Sequence, residues 1–408
     1  MAGVSISDFG ASFIEYLPGV TETLNNTVTL RKYANKDYEW EGQNISFFVH
    51  LARNHAVGNI EDGGSFPVAD KQDYAEAKAY RRFLAGSVQI TDGALANAAT
   101  SKRAAVDVVT SELQGMLEGM TKYEEFMGYR NGTGVVGLVG TDVTGTTWGA
   151  TDARLLWDGQ TYEVRDAADI TTLHGTVTVS SVARALDANG QFAVTSTAAL
   201  PAAAAATDFL VWPGAVNRAI SGLDLLIDDA TGTFQNINVT NNPRYTSPVL
   251  DNGGTNRPLT PTLFRRMMAM IKSESGGSEP VKGLTVITNN WGGIEVEELY
   301  EPVLQITPDT KTVGVNAPRF HSAYGTLTVE LSHDCPYNKM FFVDFGEVYR
   351  AVQKELDWRR DKSGGIFRAS DQSAVWRATA MEICEYFIKQ RNRCGKIEDL
   401  SETVSTAY

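Results

Sequence analysis

Hydrophobic and polar residues between Tyr38 and Thr91 form two strand-like runs, and this pattern predicts a long β-ribbon. The outgoing run is Asn44–Asn54, and the return run begins near Tyr74. Between them, the segment Gly58–Gly64 is almost entirely glycine and polar residues and is the predicted tip. An isolated two-stranded hairpin is marginal in water, and bare strand edges invite pairing with other chains. We therefore expect the ribbon to lie on a neighbouring molecule.

A helical pattern follows the ribbon over Ala94–Gly128. Its apolar residues recur in steps of three and four, as on the core-facing side of an amphipathic helix. The predicted core face consists of Val106, Val109, Leu113, Met116 and Met120. At ~1.5 Å per residue the helix is on the order of 40 Å long, which exceeds the usual length in globular proteins. Gly128 ends it.

Two further segments have a helical pattern. Thr260-Pro261 combines an N-cap hydroxyl with a proline in the first turn, so it predicts a helix start. The segment Asp371–Arg393 predicts a third helix, because Trp376, Ala380, Ile383 and Phe387 follow one helical stripe. Glu385 and Lys389, four residues apart, would support that helix as an ion pair.

The composition changes over Thr141–Pro213, where Thr, Val, Ala, Gly and Asp dominate in short strand-like pieces. Asp158-Gly159 and Asn189-Gly190 are tight-turn signals. The segment is predicted to be a small all-β insertion, and we expect it to project as a compact module that can be removed.

The composition is that of a globular chain of 408 residues, with 43% hydrophobic and 21% charged residues. There are 36 Lys and Arg against 49 Asp and Glu, a net charge of -13. Since affinity for phosphate comes mostly from Lys and Arg, this balance argues against a general nucleic-acid binder. Three cysteines without metal spacing indicate reduced thiols. The start lacks a signal-peptide pattern, and the longest apolar stretch, Ala198–Trp212, is too interrupted to span a bilayer.

The candidate chemical motifs do not predict a catalytic, cofactor-binding or metal site. Gly132–Gly137 matches G-x-G-x-x-G, but a helix precedes it and a β-rich stretch follows, the reverse of a dinucleotide site. His333-Asp334-Cys335 lies in a strand-like context, where neighbouring side chains point to opposite faces. The pairs Glu124-Glu125 and Asp228-Asp229 are interpreted as solvated surface. An enzyme that uses the glycine loop remains the remote alternative.

A dense charge run surrounds one tryptophan at Glu355–Asp361. Trp and Arg are favoured anchors of protein interfaces, so this run is a second candidate contact beside the ribbon tip. The predicted assembly residues are Asn59, Glu61, Asp62, Glu355, Asp357, Trp358, Arg359 and Arg360.

The order of these parts resembles the major capsid protein family of tailed bacteriophages, with the Hong Kong 97-like fold. The resemblance implies an α+β fold with axial and peripheral domains, to which this chain adds the all-β insertion. The implied parts are an N-terminal arm (1–37), an extended loop (38–85), a peripheral domain with the spine helix (86–140), the insertion (141–213), an axial domain (214–338), a peripheral-domain return (339–370), and a C-terminal helix and tail (371–408).

The resemblance further implies a protein that self-assembles, as hexamers and pentamers, into an icosahedral shell around the double-stranded DNA genome of the phage. It implies portal, scaffolding and decoration proteins as partners, no sequence-specific DNA binding, no membrane, and no cofactor. The expected location is the virion capsid, assembled in the host bacterial cytoplasm. An encapsulin-type compartment shell, which shares the fold but encloses cargo enzymes, is the nearer alternative. The contents of purified particles would distinguish the two.

Overall fold

The computed structural model describes residues 28–37, 40, 42–91, 104–141, 143, 145–186, 190–275, 281–300, 319–322, 325–360, 366–370 and 373–402. Most of the predicted arm therefore lies outside the described residues, and so do residues 94–103 of the predicted spine helix. Among the described residues, no helix combines the length and apolar character needed to cross a membrane.

The first third of the chain confirms the ribbon and the helix. Its elements are α1 Leu30–Tyr33, β1 Asn35–Asp37, β2 Asn44–Ala52, β3 Asp73–Tyr80, β4 Arg82–Thr91 and α2 Ala104–Met127. Strands β2 and β3 pair antiparallel, from Asn44 opposite Tyr80 to Ala52 opposite Asp73. The predicted return strand is divided at Arg81, because β4 leaves this hairpin to pair with another part of the chain.

The next segment is an all-β module, as predicted, but it begins with β5 at Val135 and not at the predicted Thr141. Its strands are β5 Val135–Leu138, β6 Thr147–Ala150, β7 Thr161–Arg165, β8 Leu173–Leu186, β9 Phe192–Ser196 and β10 Phe209–Val211. They form a six-stranded sheet in the order β5-β10-β7-β8-β9-β6. The first strand, β5, pairs with the last, β10, so the chain enters and leaves the module side by side.

The remaining elements are α3 Leu223–Leu226, β11 Thr233–Phe234, β12 Ile237–Asn238, β13 Val249–Leu250, α4 Pro261–Glu274, β14 Val281–Thr288, α5 Asn290–Tyr300, β15 Arg319–Ser322, β16 Gly325–Leu331, β17 Met340–Asp344, β18 Val348–Trp358, β19 Phe367–Ser370, β20 Ser373–Ile388 and β21 Gly395–Ile397, with 3-10 turns at Pro243–Tyr245 and Arg391–Arg393. The predicted start of α4 is confirmed, because the Thr260 hydroxyl accepts the Leu263 N–H at 3.3 Å.

A mixed sheet in the order β13-β21-β17-β14-β16-β15 packs against α4. The buried face of α4 is formed by Phe264, Met267, Met268 and Ile271, which pack with sheet residues such as Val286 and Phe342 in one apolar cluster. Strand β17 lies inside this sheet, between β21 and β14. The predicted border at residue 339 is therefore wrong, since β17 belongs with the preceding strands and not with a separate peripheral return.

A second sheet has the order β1-β18-β20-β19, and β4 also pairs with β20. Strand β20 corrects the predicted helix at Asp371–Arg393. Alternate residues are buried along β20, namely Ala378, Ala380, Glu382, Cys384, Tyr386 and Ile388, and near its end Glu385 and Phe387 are buried as well. The helical stripe read from the sequence was coincidental, because the polar Glu382 interrupts the apolar alternation that would have predicted a strand.

The spine helix α2 packs against β4 at Gly86. A Cβ atom at this position would overlap the sulfur atoms of Met116 and Met120, so the two methionine side chains occupy the space that the glycine leaves free. Met120 is buried, whereas Leu113 and Met116 are half-buried. The predicted face is therefore found in this part of α2, and the side chains of Val106 and Val109 lie outside the described residues.

The largest apolar core joins parts that the sequence divides. It contains Tyr123, Phe126 and Met127 of α2, Trp148 and Tyr162 of the β module, and residues of β17, β18 and β20. Tyr123 also stacks on Trp212 with ring centroids 4.6 Å apart. The β module thus shares its core with the rest of the chain, so it is not a separable insertion.

Candidate assembly surfaces and a buried charge cluster

The β2–β3 hairpin and the start of β4 carry most of the exposed large hydrophobic side chains in the part of the chain that the structure describes. Eight of twelve such residues lie between positions 48 and 83. They are Phe48, Val57, Ile60, Phe66, Val68, Tyr74, Tyr80 and Phe83. Phe66 and Val68 are 84% and 88% exposed, so their burial against another surface would be favourable. We call these eight residues the hairpin surface.

The hairpin is anchored through its two paired strands, which form its base, and Phe47, Val49 and Leu51 of β2 pack against the body. Ala79 packs with Trp40, Ala351 and Phe387, and Ala77 packs with a second small cluster around Tyr245. The Lys78 N–H donates to the Gln235 carbonyl at 2.8 Å. Small alanine side chains on this face let the base approach the body closely. The residues from 53 to 72 are exposed, with Ala56 half-buried, so the distal part projects from the subunit.

The predicted tip residues Asn59, Glu61 and Asp62 are all exposed in the loop between β2 and β3. The loop closes with a Gly64 N–H donating to the Glu61 carbonyl at 2.9 Å. The polar tip was predicted from the sequence, whereas the exposed apolar residues beside it were not. The sequence signal for them is the presence of large apolar residues, Val57, Phe66 and Val68, in a segment that is otherwise polar and glycine-rich.

The charge run around Trp358 lies elsewhere, at the end of β18. Asp357, Arg359 and Arg360 are exposed, and Trp358 is half-buried opposite Ala380 of β20. Glu355 is also exposed, but its carboxylate lies 3.8 Å from Arg31 and 3.9 Å from Arg350. The predicted assembly residues therefore occupy two different places, and Glu355 contacts a buried charge cluster.

That cluster is centred on Arg350, which is fully buried. Its guanidinium donates to both carboxylate oxygens of Glu124, at 2.6 and 3.2 Å, and also to Glu382. The Tyr386 hydroxyl donates to Glu124 at 3.1 Å, and Arg31 of the arm lies 3.1 Å from the same carboxylate. Such pairing is what permits charges to lie in a core, since unpaired buried charges are very costly.

Glu124 and Glu125 correct an interpretation made from the sequence. An adjacent acidic pair predicts solvated surface, but Glu124 and Glu125 are 1% and 0% exposed. The carboxylate of Glu125 accepts the backbone N–H groups of Thr29, Leu30 and Arg31 at 2.7, 2.6 and 3.1 Å. It thereby ties the end of the arm to the spine helix. The partners are about 95 and 226 positions away in the sequence, so local pattern could not reveal them.

Burial changes the titration of several carboxyl groups here. Burial, followed by the charge of Glu124, raises the pKa of Glu382, while Arg350 and Arg31 oppose that increase. Burial also raises the pKa of Glu385 to about 7, although Ser221 and Arg82 lower it. For Glu125, burial outweighs the three backbone donors and raises the pKa.

The cluster is built for charge pairing and not for metal binding. Ligand atoms of Glu124, Glu382 and Cys384 lie within 4.8 Å of one another. The guanidinium of Arg350 already binds both carboxylates, and burial raises the pKa of the Cys384 thiol well above its usual value. A metal ion would have to displace the arginine and ionise a buried thiol.

The other motifs singled out from the sequence have structural roles. His333-Asp334-Cys335 forms a turn and not a strand, in which Asp334 pairs with Lys122 at 2.6 Å and Cys335 is buried. The Gly132–Gly137 segment follows α2 and runs into β5, with positive φ at Gly132 and Gly134. This order lacks the helix N-terminus that would hold a phosphate group.

Comparisons with known proteins agree with this architecture. Residues 169–364 match the family model of the SU10 major capsid protein. The structure resembles the cyanophage A-1(L) capsid asymmetric unit, with 14% identity, a TM-score of 0.58, and coverage of 95% of this chain and 96% of that chain. It also resembles the capsid of an empty GTA particle, with 10% identity, a TM-score of 0.56, and coverage of 98% and 99%. The comparison with curated proteins gives no match.

The hairpin, the spine helix and the two sheets, matched over nearly the whole of both chains, define the Hong Kong 97-like capsid fold. The family match adds a similarity to a major capsid protein over residues 169–364, slightly less than half of the chain.

Proposed function

We propose that this protein self-assembles through hexameric and pentameric rings into an icosahedral shell that encloses the double-stranded DNA genome of a phage, and that the hairpin surface is a main contact between subunits. The proposal is supported by the concentration of exposed apolar side chains on one projecting hairpin. In a lone subunit these groups would face water, whereas a neighbour would cover them.

The run at Glu355–Asp361 is the second proposed contact. Asp357, Arg359 and Arg360 are exposed beside a half-buried tryptophan. Charged groups of this kind fix register and orientation more than they add affinity. Apolar burial on the hairpin is therefore expected to supply most of the association free energy, and the charge run is expected to select the correct neighbour.

Besides further copies of this chain, the proposed partners are a portal, a scaffolding protein and a decoration protein. We propose that assembly takes place in the host bacterial cytoplasm. The chain's net charge of -13 supports a wall that encloses a polyanion without binding it tightly. DNA in purified particles is the expected content. Particles filled with protein cargo would instead support the encapsulin-type compartment.

The test is a pair of substitutions on the hairpin. Phe66→Ser combined with Val68→Ser is expected to leave the subunit folded but to reduce particle yield at least tenfold, since each buried apolar side chain contributes about 1.5–3 kcal/mol. Particle yield is measured by sedimentation and electron microscopy, and folding by thermal unfolding of the unassembled chain.

The matched control is Leu173→Ser, because Leu173 is also an exposed apolar residue, at 50%, but lies on the β module. It is expected to assemble normally. A normal particle yield from the double hairpin variant, or an equal loss from Leu173→Ser, would show that the hairpin surface has no special role.

A further inference from the structure

The end of the N-terminal arm is held by two adjacent carboxylates of α2. Glu125 accepts three backbone N–H groups, those of residues 29–31, and Glu124 pairs with the Arg31 side chain at 3.1 Å. Tyr33 also contacts the body, where its hydroxyl donates to Glu330 at 2.9 Å. Leu30 is buried in the apolar core and β1 pairs with β18, so the charged acceptors are one part of what docks the arm. That part of the docking depends on the ionisation of the acceptors.

A third carboxylate contributes to the docking site from β20. Glu382 lies 3.7 Å from Arg31 and is fully buried. One of its two oxygens, Oε2, has no hydrogen-bond partner among the described residues. A buried carboxylate with a free oxygen is well suited to bind a proton, because the protonated form removes an incompletely paired charge.

The charges of the cluster do not balance. Three carboxylates, those of Glu124, Glu382 and Glu355, face the two guanidiniums of Arg350 and Arg31. If all are ionised, the docked cluster has one excess negative charge. Undocking of Arg31 would leave a second excess negative charge in a largely buried site, a state that proton uptake relieves.

We propose that docking of residues 29–31 on the spine helix is coupled to release of a proton from Glu382. The arm is held firmly when Glu382 is ionised and loosely when Glu382 is protonated. The device would let a change in pH alter how the arm is positioned while the sheet and helix behind it stay folded.

The direction of the pH dependence follows from the charged and titratable groups that face Glu382. These are Glu124 on α2, Arg350 and Glu355 on β18, Arg31 on the arm, and Cys384 on β20 itself; β4 places the apolar Leu84 opposite. Removal of Arg31 removes one of the two positive charges, so the pKa of Glu382 is higher in the undocked state than in the docked state. The stabilisation of docking is present above the undocked pKa and is lost as the pH falls through the docked pKa.

The experiment measures hydrogen-exchange protection of the amides of Thr29, Leu30 and Arg31 in the full-length, unassembled chain between pH 5 and 9. Protection is corrected for the intrinsic effect of pH on exchange. Since a pKa difference of one unit corresponds to a factor of ten in the docking equilibrium, we expect a decrease of about tenfold from high to low pH.

Glu382→Gln is expected to remove this pH dependence, because the isosteric amide does not titrate. Arg31→Gln is expected to show, at every pH between 5 and 9, the low protection that the unaltered chain shows at low pH. This variant tests the proposal if Glu382→Gln does not fold. Arg265→Gln, on the exposed face of α4, is the matched control and is expected to behave as the unaltered chain.

Protection that does not change between pH 5 and 9 in the unaltered chain would overturn the proposal. So would an unchanged pH dependence in Glu382→Gln, which would assign the titration to another group, with Glu125 as the first to be tested by Glu125→Gln. The readout needs no particle, so its outcome is independent of the assembly role of the hairpin.

Discussion

The hairpin and the β module are both additions to the helix and the two sheets, yet they are held in opposite ways. The hairpin buries only its base, and its distal residues expose Val57, Phe66 and Val68. The β module buries Trp148 and Tyr162 in the same apolar core as the end of the spine helix. Sequence composition marked both as distinct segments. Burial shows that the hairpin leaves its distal apolar residues uncovered, whereas the β module completes the core of the subunit itself.

Because the hairpin and the β module are packed differently, we expect their deletion to have different effects on folding and assembly. Replacement of residues 141–207 by a short Gly/Ser linker between β5 and β10 is expected to abolish cooperative unfolding. Tyr123, Phe126 and Trp212 would lose the apolar groups that cover them. The measurement is thermal unfolding by circular dichroism. A cooperative transition in the deletion variant would restore the original expectation of a removable module.

The matched deletion is on the hairpin. Residues 53–72 can be replaced by an Asn-Gly turn, because Ala52 and Asp73 are already paired across the two strands. This variant is expected to unfold cooperatively near the original temperature but to form no particles. If both deletions gave the same result, the comparison between the two regions would fail.

Point substitutions should reproduce the contrast on a smaller scale. Trp148→Ala removes a large side chain that is 1% exposed, so a loss of about 3–5 kcal/mol in the free energy of unfolding is expected. Phe66→Ala, at 84% exposure, should change it by less than about 0.5 kcal/mol. Denaturant unfolding of the unassembled chain checks both values. A large effect of Phe66→Ala would mean that the hairpin is packed against its own subunit.

The elements that were predictable from the sequence are those with local signals. The hairpin strands, the all-β module, the spine helix and the capped start of α4 follow from alternation, turn dipeptides, helical spacing and the Thr260 hydroxyl. Strand β20 was not predictable in the same way. Its alternation contains Glu382, whose burial depends on Arg350 and Glu124, and neither residue is close in sequence.

The candidate sites show the same limit. Asn59, Glu61 and Asp62 lie in the exposed loop at the predicted tip, because a glycine-rich polar tip has a local signature, and their role as assembly contacts stays a prediction. The inward position of Glu124 and Glu125 was missed, since an acidic pair on a helix looks like solvated surface until its partners are known. The residue types show which side chains can carry a charge, but only the tertiary fold determines which of those charged side chains are buried in the core.

Glu385 connects the two compared regions, and it supplies the mildest test. Its carboxylate accepts the Ser221 N–H at 2.7 Å, just after the β module, and pairs with Arg82 at 3.2 Å, at the base of the hairpin. Burial raises its pKa to about 7 from an ordinary value of 4.5. For a carboxyl group whose pKa is raised by folding, the stabilising contribution is complete below the unfolded pKa and is lost as the pH rises through the folded one. The free energy of unfolding should therefore decline between about pH 4.5 and 7 through this group.

Glu385→Gln keeps an oxygen acceptor for Ser221 but cannot ionise, so it should flatten part of that decline and raise stability at pH 8 relative to the unaltered chain. Arg82 is partly exposed and can be hydrated when it loses its partner, so the cost of the substitution is expected to be small. The measurement is denaturant unfolding at pH 5 and pH 8. Glu163→Gln is the control, because Glu163 pairs with Arg165 on the module without a buried position of this kind. If Glu385→Gln lowered stability equally at both pH values, the carboxylate would act only as a hydrogen-bond acceptor between the two regions, and its charge would not matter.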